Sequence, residues 1–149
     1  MEIVSRLEAA RERTLRYFAL NGEQLERRYA PGKWPVRWLL HHIADAETVL
    51  YDRIRRAISE PRPVVWAFDQ DLWAAHLDYG GMPMEVSRQI FDAARGGVIY
   101  QARLNYEANG GREFVHSETG VRTLKDEFDK VAWHNEHHLA QIEQALKGS

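Results

Sequence analysis

The chain has no cysteine. That absence excludes disulfides, thiolate metal ligands and a thiol nucleophile carried by the protein itself. Any metal must therefore be held by nitrogen and oxygen. No apolar run approaches the roughly 18 residues of a membrane-spanning helix. Met1-Glu2-Ile3-Val4-Ser5-Arg6 lacks the basic and then apolar layout of a secretion signal. A cytoplasmic protein without membrane attachment is the expectation. There is no excess of one charge either: the formal net charge is −2 and the signs are interspersed. Nucleic-acid binding needs a basic face and is not expected. Arg53, Arg55 and Arg56 read as a solvated cluster on one helix. Internal repeats and low-complexity tracts are absent, and 149 residues suit a single domain spanning 1–149.

What the chain does have is helical periodicity. Residues 2–28 place Ile3, Leu7, Thr14, Phe18 and Leu25 on one stripe, with Asn21-Gly22 as a kink or interruption. After a turn over 29–34, Pro35 suits the first turn of a second helix that runs to Ser59. Its apolar side carries Val36, Leu39, Leu40, Ile43, Leu50, Ile54 and Ile58, and Glu60-Pro61-Arg62-Pro63 stops it. Residues 60–82 form a long connection containing one short helix, 69–76. A third helix over 83–109 repeats Val86, Ile90, Ala93, Gly97, Leu104 and Ala108 at three-four spacing, and Gly96-Gly97 within it points to a close neighbour. Residues 112–120 read as a loop, extended at Glu113-Phe114-Val115, and a fourth helix spans 121–147. No strand pattern competes. The reading is an all-α four-helix bundle with a long crossover connection between helices 2 and 3, which lets those two run parallel.

Three of the seven histidines fall between positions 134 and 138. Residues four apart on a helix differ by about 40° around the axis, so His134 and His138 can aim at one point. Two imidazoles so placed commonly hold a transition metal. With Leu124, Phe128, Val131 and Ile142 as the apolar centre, His138 lies about 40° from it, His134 about 80° and His137 about 140°. The pair then faces the core edge and His137 faces solvent. A third ligand must come from elsewhere, and His41-His42 is the candidate pair. Both sit more than about 100° from the apolar centre of the second helix, on opposite sides, so helical geometry does not choose between them. Glu47 lies about 20° from that centre. A carboxylate there needs a partner: a metal, an imidazole N–H, or an arginine such as Arg13 or Arg16. The zincin protease motif is ruled out, since Asn135 stands where its Glu would follow the first His. The pair can equally be read as two hydrogen-bonded histidines at a helix boundary.

The run Pro31-Gly32-Lys33-Trp34-Pro35 through His41-His42-Ile43-Ala44-Asp45-Ala46-Glu47 resembles the start of the second helix in the DinB/YfiT-like superfamily. So does the run from Gly120-Val121-Arg122-Thr123-Leu124 through Trp133-His134-Asn135-Glu136-His137-His138-Leu139-Ala140-Gln141-Ile142. The nearest branch looks like the YfiT-type proteins, described as metal-dependent hydrolases and as bacillithiol transferases. The resemblance implies a four-helix bundle with a three-histidine divalent-metal site, commonly as a homodimer. By position, its second-helix ligand, the His before an apolar-Ala-Asp run, falls on His42. Its C-terminal pair falls on His134 and His138. Where that pattern has Ser after the Trp, this chain has Pro35, which a first helical turn tolerates.

Three neutral histidines leave coordination positions open, the arrangement of a catalytic site, and one zinc or nickel ion suits them. Such an ion activates water or deprotonates a thiol. Without cysteine in the chain, a thiol has to arrive as a small-molecule cosubstrate and attack an electrophile. The resemblance thus implies a metal-dependent, bacillithiol-type S-transferase. The alternatives are a metal-dependent hydrolase and a non-catalytic, stress-related metal-binding bundle. Asp45, Glu47 and Gln141 are candidates for orienting ligands or accepting a proton. His116 stands in the loop before the fourth helix, within reach of a site mouth. Trp66, Phe68, Trp73 and Tyr79 either wall a pocket or bury the crossover.

Overall fold

A computed structural model describes residues 1–148. In chain order the helices are α1 (Glu2–Tyr17), α2 (Gly22–Leu25), α3 (Val36–Ser59), α4 (Gln70–His76), α5 (Met84–Asn105) and α6 (Leu124–Lys147). The strands are β1 (Val64–Val65), β2 (Glu113–His116) and β3 (Gly120–Thr123). The long helices α1, α3, α5 and α6 form a four-helix bundle. Paired residues give their directions. His41–Ser87, Glu47–Arg95 and Tyr51–Gly97 advance together, so α3 and α5 run parallel, as the long link predicts. His42–His134 and Arg53–Glu127 advance oppositely, so α3 and α6 are antiparallel. Arg6–Glu136 and Tyr17–Glu143 align α1 with α6. The bundle therefore runs up, down, down, up.

Local chemistry sets the ends. The first helix stops at Tyr17, short of the predicted Arg28, because Asn21 starts a new one. Its side chain accepts from the Gln24 N–H while Gln24 reaches back to the Asn21 N–H. Thr123 and Asp126 form the same reciprocal cap on α6. That cap places the helix start at Leu124, and the residues before it, expected to be helical, form a strand. β3 pairs antiparallel with β2, and β1 pairs parallel with β2 through Val64↔Val115 and Val65↔His116. β2 covers the stretch expected to be extended, Glu113-Phe114-Val115, while its pairing into a small sheet was not foreseen; the sheet ties the crossover to the base of α6.

The core has two apolar clusters with a polar layer between them. One holds Leu7, Leu50, Ile54, Val98, Phe114, Phe128 and Val131; the other holds Phe18, Leu40, Ile43, Phe91 and Ile142. In every long helix a polar residue separates the two: Thr14, Glu47, Arg95 and Asn135, all buried. Arg95 donates twice to Glu47 (2.6 and 3.0 Å), once to Asn135 (2.8 Å) and once to the Leu7 carbonyl (3.0 Å). Asn135 donates to Thr14, whose hydroxyl donates to the Ala10 carbonyl. The partner of Glu47 is thus Arg95. Arg13 instead pairs with Glu143.

The stripe expected to be the core face of α5 is on the outside. Val86, Ile90, Ala93 and Leu104 are exposed, while Phe91, Arg95, Val98, Ile99 and Ala102 face the core. Gly97 does mark a close approach, because a Cβ there would lie 2.5 Å from the Tyr51 ring. Arg53 also departs from expectation. Arg55 and Arg56 are exposed, but Arg53 is buried near Glu127.

Candidate metal centre

His42 comes from α3, and His134 and His138 from α6. Each offers a ring nitrogen, and the three nitrogens lie within 4.8 Å of one another. The Nε2 atoms of His42 and His134 are 3.0 Å apart. Helical geometry could not select His42 because it assumed one buried face, and the first half of α3, residues 36–47, has no exposed residue. α5 and α6 pack on it, and the crossover covers much of what remains. His41 turns to the α5 side, its Nδ1 2.6 Å from the Ser87 hydroxyl, with Tyr79 beside it. His42 turns to α6.

Burial governs the charge of the cluster. It lowers His42 to about 3 and His134 to about 2, with repulsion between neighbouring histidines adding to the shift. His138 is lowered by burial too, against a hydrogen bond to Gln141. All three rings are neutral near pH 7, the state in which imidazole ligates a metal. The Gln141 side-chain oxygen can only accept, so the 2.7 Å contact puts the His138 proton on Nδ1 and leaves Nε2 with a free lone pair. Gln141 is itself anchored by donating to the Tyr29 hydroxyl. The buried Nδ1 of His42 has no partner among the described residues.

Aromatic rings enclose the cluster. Trp34 meets His42 edge-on at 5.5 Å, and Phe68 lies over it at 6.3 Å. A cavity of about 410 Å³ opens beside His134 and His138, bounded by Tyr29, Trp34, Trp133 and His137. Phe68 therefore walls the site, Tyr79 is buried under the crossover, and Trp66 is exposed.

The remaining expected residues separate. Asp45 accepts from the Tyr79 hydroxyl (2.6 Å), and Tyr79 packs edge-on against Trp34 and Trp38. Burial pushes the Asp45 carboxyl up, and the Tyr79 hydrogen bond opposes it. Glu47 lies in the polar layer with Arg95, and both carboxylate oxygens are taken by that guanidinium. His116 caps its hairpin, accepting at Nδ1 from the backbone N–H of Glu118 and Thr119. His137 is exposed and stacks on Trp133, 11° from parallel. Lys130, four residues before His134 on α6, lines a smaller cavity together with His134; the same i, i+4 spacing that selected the histidine pair places it beside them.

The profile of the DinB superfamily matches residues 6–142. The chain belongs to this superfamily. Two proteins of Oceanobacillus iheyensis, each named as a candidate metal-dependent hydrolase, are 35% identical to it. The alignments run over 131 and 128 residues, 88% and 86% of this DinB chain and 75% and 74% of the relatives. A Halalkalibacterium halodurans protein of the same description is 30% identical over 128 residues, 86% of this chain and 74% of its own. Among solved structures, YfiT from Bacillus subtilis superposes with a TM-score of 0.88 at 24% identity, covering 98% of this chain and 85% of its own. It is described as a probable metal-dependent hydrolase with an unusual four-helix bundle topology, and the likeness establishes the shared fold. Among the described residues of this DinB chain, no helix is long and apolar enough to cross a membrane.

Proposed function

We propose that this protein is a metal-dependent hydrolase whose single divalent ion is held by His42, His134 and His138. One observation carries the reading: three neutral imidazoles from two helices converge within 4.8 Å beside an open cavity. The donor set fits such an ion. It is all nitrogen, uncharged near pH 7, and has one tautomer fixed by Gln141. Zinc or nickel suits these ligands. When bound, the ion supplies a Lewis acid. The protein's own part is to present lone pairs, to bar other approaches with Trp34 and Phe68, and to admit substrate past Tyr29 and Trp133. Asp45 acts at one remove, holding Tyr79 and through it the Trp34 wall.

The names of the relatives support hydrolysis. Thiol transfer rests on the sequence resemblance alone. One experiment separates them: metal content by mass spectrometry of wild type, His42→Ala and His134→Ala, followed by turnover of an activated ester with and without a small thiol. About one ion per wild-type chain, lost in both variants, with hydrolysis independent of thiol, is expected. Turnover only with thiol would move the reading to transfer, and metal-free protein after dialysis against zinc and nickel would end both.

We propose further that the protein is a homodimer, built on α5. Its exposed Val86, Ile90, Ala93, Tyr100 and Leu104 recur at steps of four, three, seven and four residues, the seam period of helix-on-helix packing. A second copy related by a two-fold axis offers the same seam.

A further inference from the structure

His134 also lines a second cavity, of about 210 Å³, away from the mouth described above. One side is apolar, from Leu50 and Phe68. The other carries Arg53 and Lys130, with His116 and Glu118 of the hairpin at its edge. Both cations have unused donors. Arg53 is 3% exposed; its Nη2 donates to the Trp66 carbonyl at 2.6 Å, but Nη1 stands 3.8 Å from Glu127 and the buried Nε–H has no partner among the described residues. Lys130 is half-buried and forms no ion pair with any described residue. A buried cation donor without an acceptor is costly, and a ligand that supplies the acceptor gains that energy.

The charges around the cavity favour an anion. Arg53 and Lys130 face it and Arg122 stands on the adjoining hairpin, against Glu118 and Glu127. Glu118 is exposed to solvent; burial pushes the Glu127 carboxyl up while Lys130, Arg53 and Arg122 hold it down, so three cations stand against two carboxylates. His116 is lowered by burial and by all three cations, against Glu118, so it adds no charge of its own.

We propose that this second cavity is an anion subsite. It takes a carboxylate at one end of a small molecule whose other end lies at the three histidines, with Lys130 as ion-pair partner and Arg53 as a further donor. The inference rests on the metal-binding reading above. Lys130 precedes His134 by four residues, roughly 6 Å along α6, so a spacer of two to four methylenes matches the separation.

Cobalt-substituted protein tests it through its visible spectrum. Alkyl monohydroxamates, which ligate the metal, are titrated in pairs that differ only in a terminal carboxylate or methyl and carry two, three or four methylenes. The carboxylate member is expected to bind at least tenfold more tightly at one of these lengths, and Lys130→Gln is expected to abolish that preference while leaving methyl-terminated affinity in place. Equal affinity within every pair would overturn the subsite while leaving the metal centre standing. A preference that survives Lys130→Gln and is lost in Lys33→Gln, at the rim of the larger cavity, would also overturn it. Absence of cobalt bands that His42→Ala removes would overturn both readings together.

Discussion

The Nδ1 atom of His138 lies 2.7 Å from the side-chain oxygen of Gln141, one turn further along the same helix. The contact fixes the tautomer and turns the free nitrogen toward His42 and His134. Removing such an orienting partner typically weakens metal binding by about 10- to 100-fold. Gln141→Leu is expected to fall in that range, with its helical circular dichroism unchanged. Competition against a chromophoric chelator measures it, and wild-type affinity in the variant would show that His138 needs no such support.

Acid is expected to destabilise the metal-free protein. His42 and His134 have folded-state values of about 3 and about 2 against an unfolded 6.5. The unfolded chain therefore binds more protons, and stability is full above 6.5 and falls with pH down to about 3 for His42 and about 2 for His134. Between pH 7 and pH 5 each of these histidines removes about 2 kcal/mol. Asp45 and Glu127, whose carboxyls burial raises, act in the opposite sense. Urea denaturation at several pH values reads the slope. A His42→Leu/His134→Leu variant should flatten it, and an unchanged slope would assign the acid sensitivity elsewhere.

Breaking the buried pair in the polar layer should cost far more than its removal. Glu47→Gln leaves Arg95 without its counter-charge in a buried site, and such losses run to about 3–5 kcal/mol. The double variant Glu47→Leu/Arg95→Met is expected to recover much of that. Equilibrium denaturation of the three proteins decides, and a single variant within about 1 kcal/mol of wild type would mean that water solvates Arg95.

The α5 seam predicts where a dimer comes apart. Tyr100 is 61% exposed and Leu104 56%, both in the last turns of α5. Tyr100→Glu/Leu104→Glu places like charges at a two-fold contact and is expected to yield monomers by sedimentation, with the thermal midpoint of the folded chain little changed. A dimer that persists would have to use another face.

How much was legible followed from how many neighbours each helix has. α6 has a distinct solvent face, so angular position alone separated His134 and His138 from His137. The half of α3 that carries His41 and His42 has none, so the same reasoning could not rank them; only the resemblance to the DinB pattern picked His42, which the structure brings to the pair. On α5 the phase came out inverted, because its buried side mixes Phe91, Val98 and Ile99 with Ser87, Arg95 and Asn105 while bulky Val86, Ile90 and Leu104 face outward. β1 and β3 are too short to show an alternation, and they exist through pairing with β2. Arg95 and Arg53 carry no local mark of burial; their partners lie elsewhere in the fold, 48 residues away for Glu47 and in the crossover for Trp66.

The Arg95 guanidinium also acts as a ruler. It is bonded at once to Glu47 on α3, Asn135 on α6 and the Leu7 carbonyl on α1. Sliding any of these helices by one turn, about 5.4 Å, would strand a charge in the interior. Asn135 adjoins His134, and Glu47 follows His42 on the same helix. The axial offset between the histidines of the two helices is therefore set from within the bundle, by groups that never touch them, before any ligand arrives.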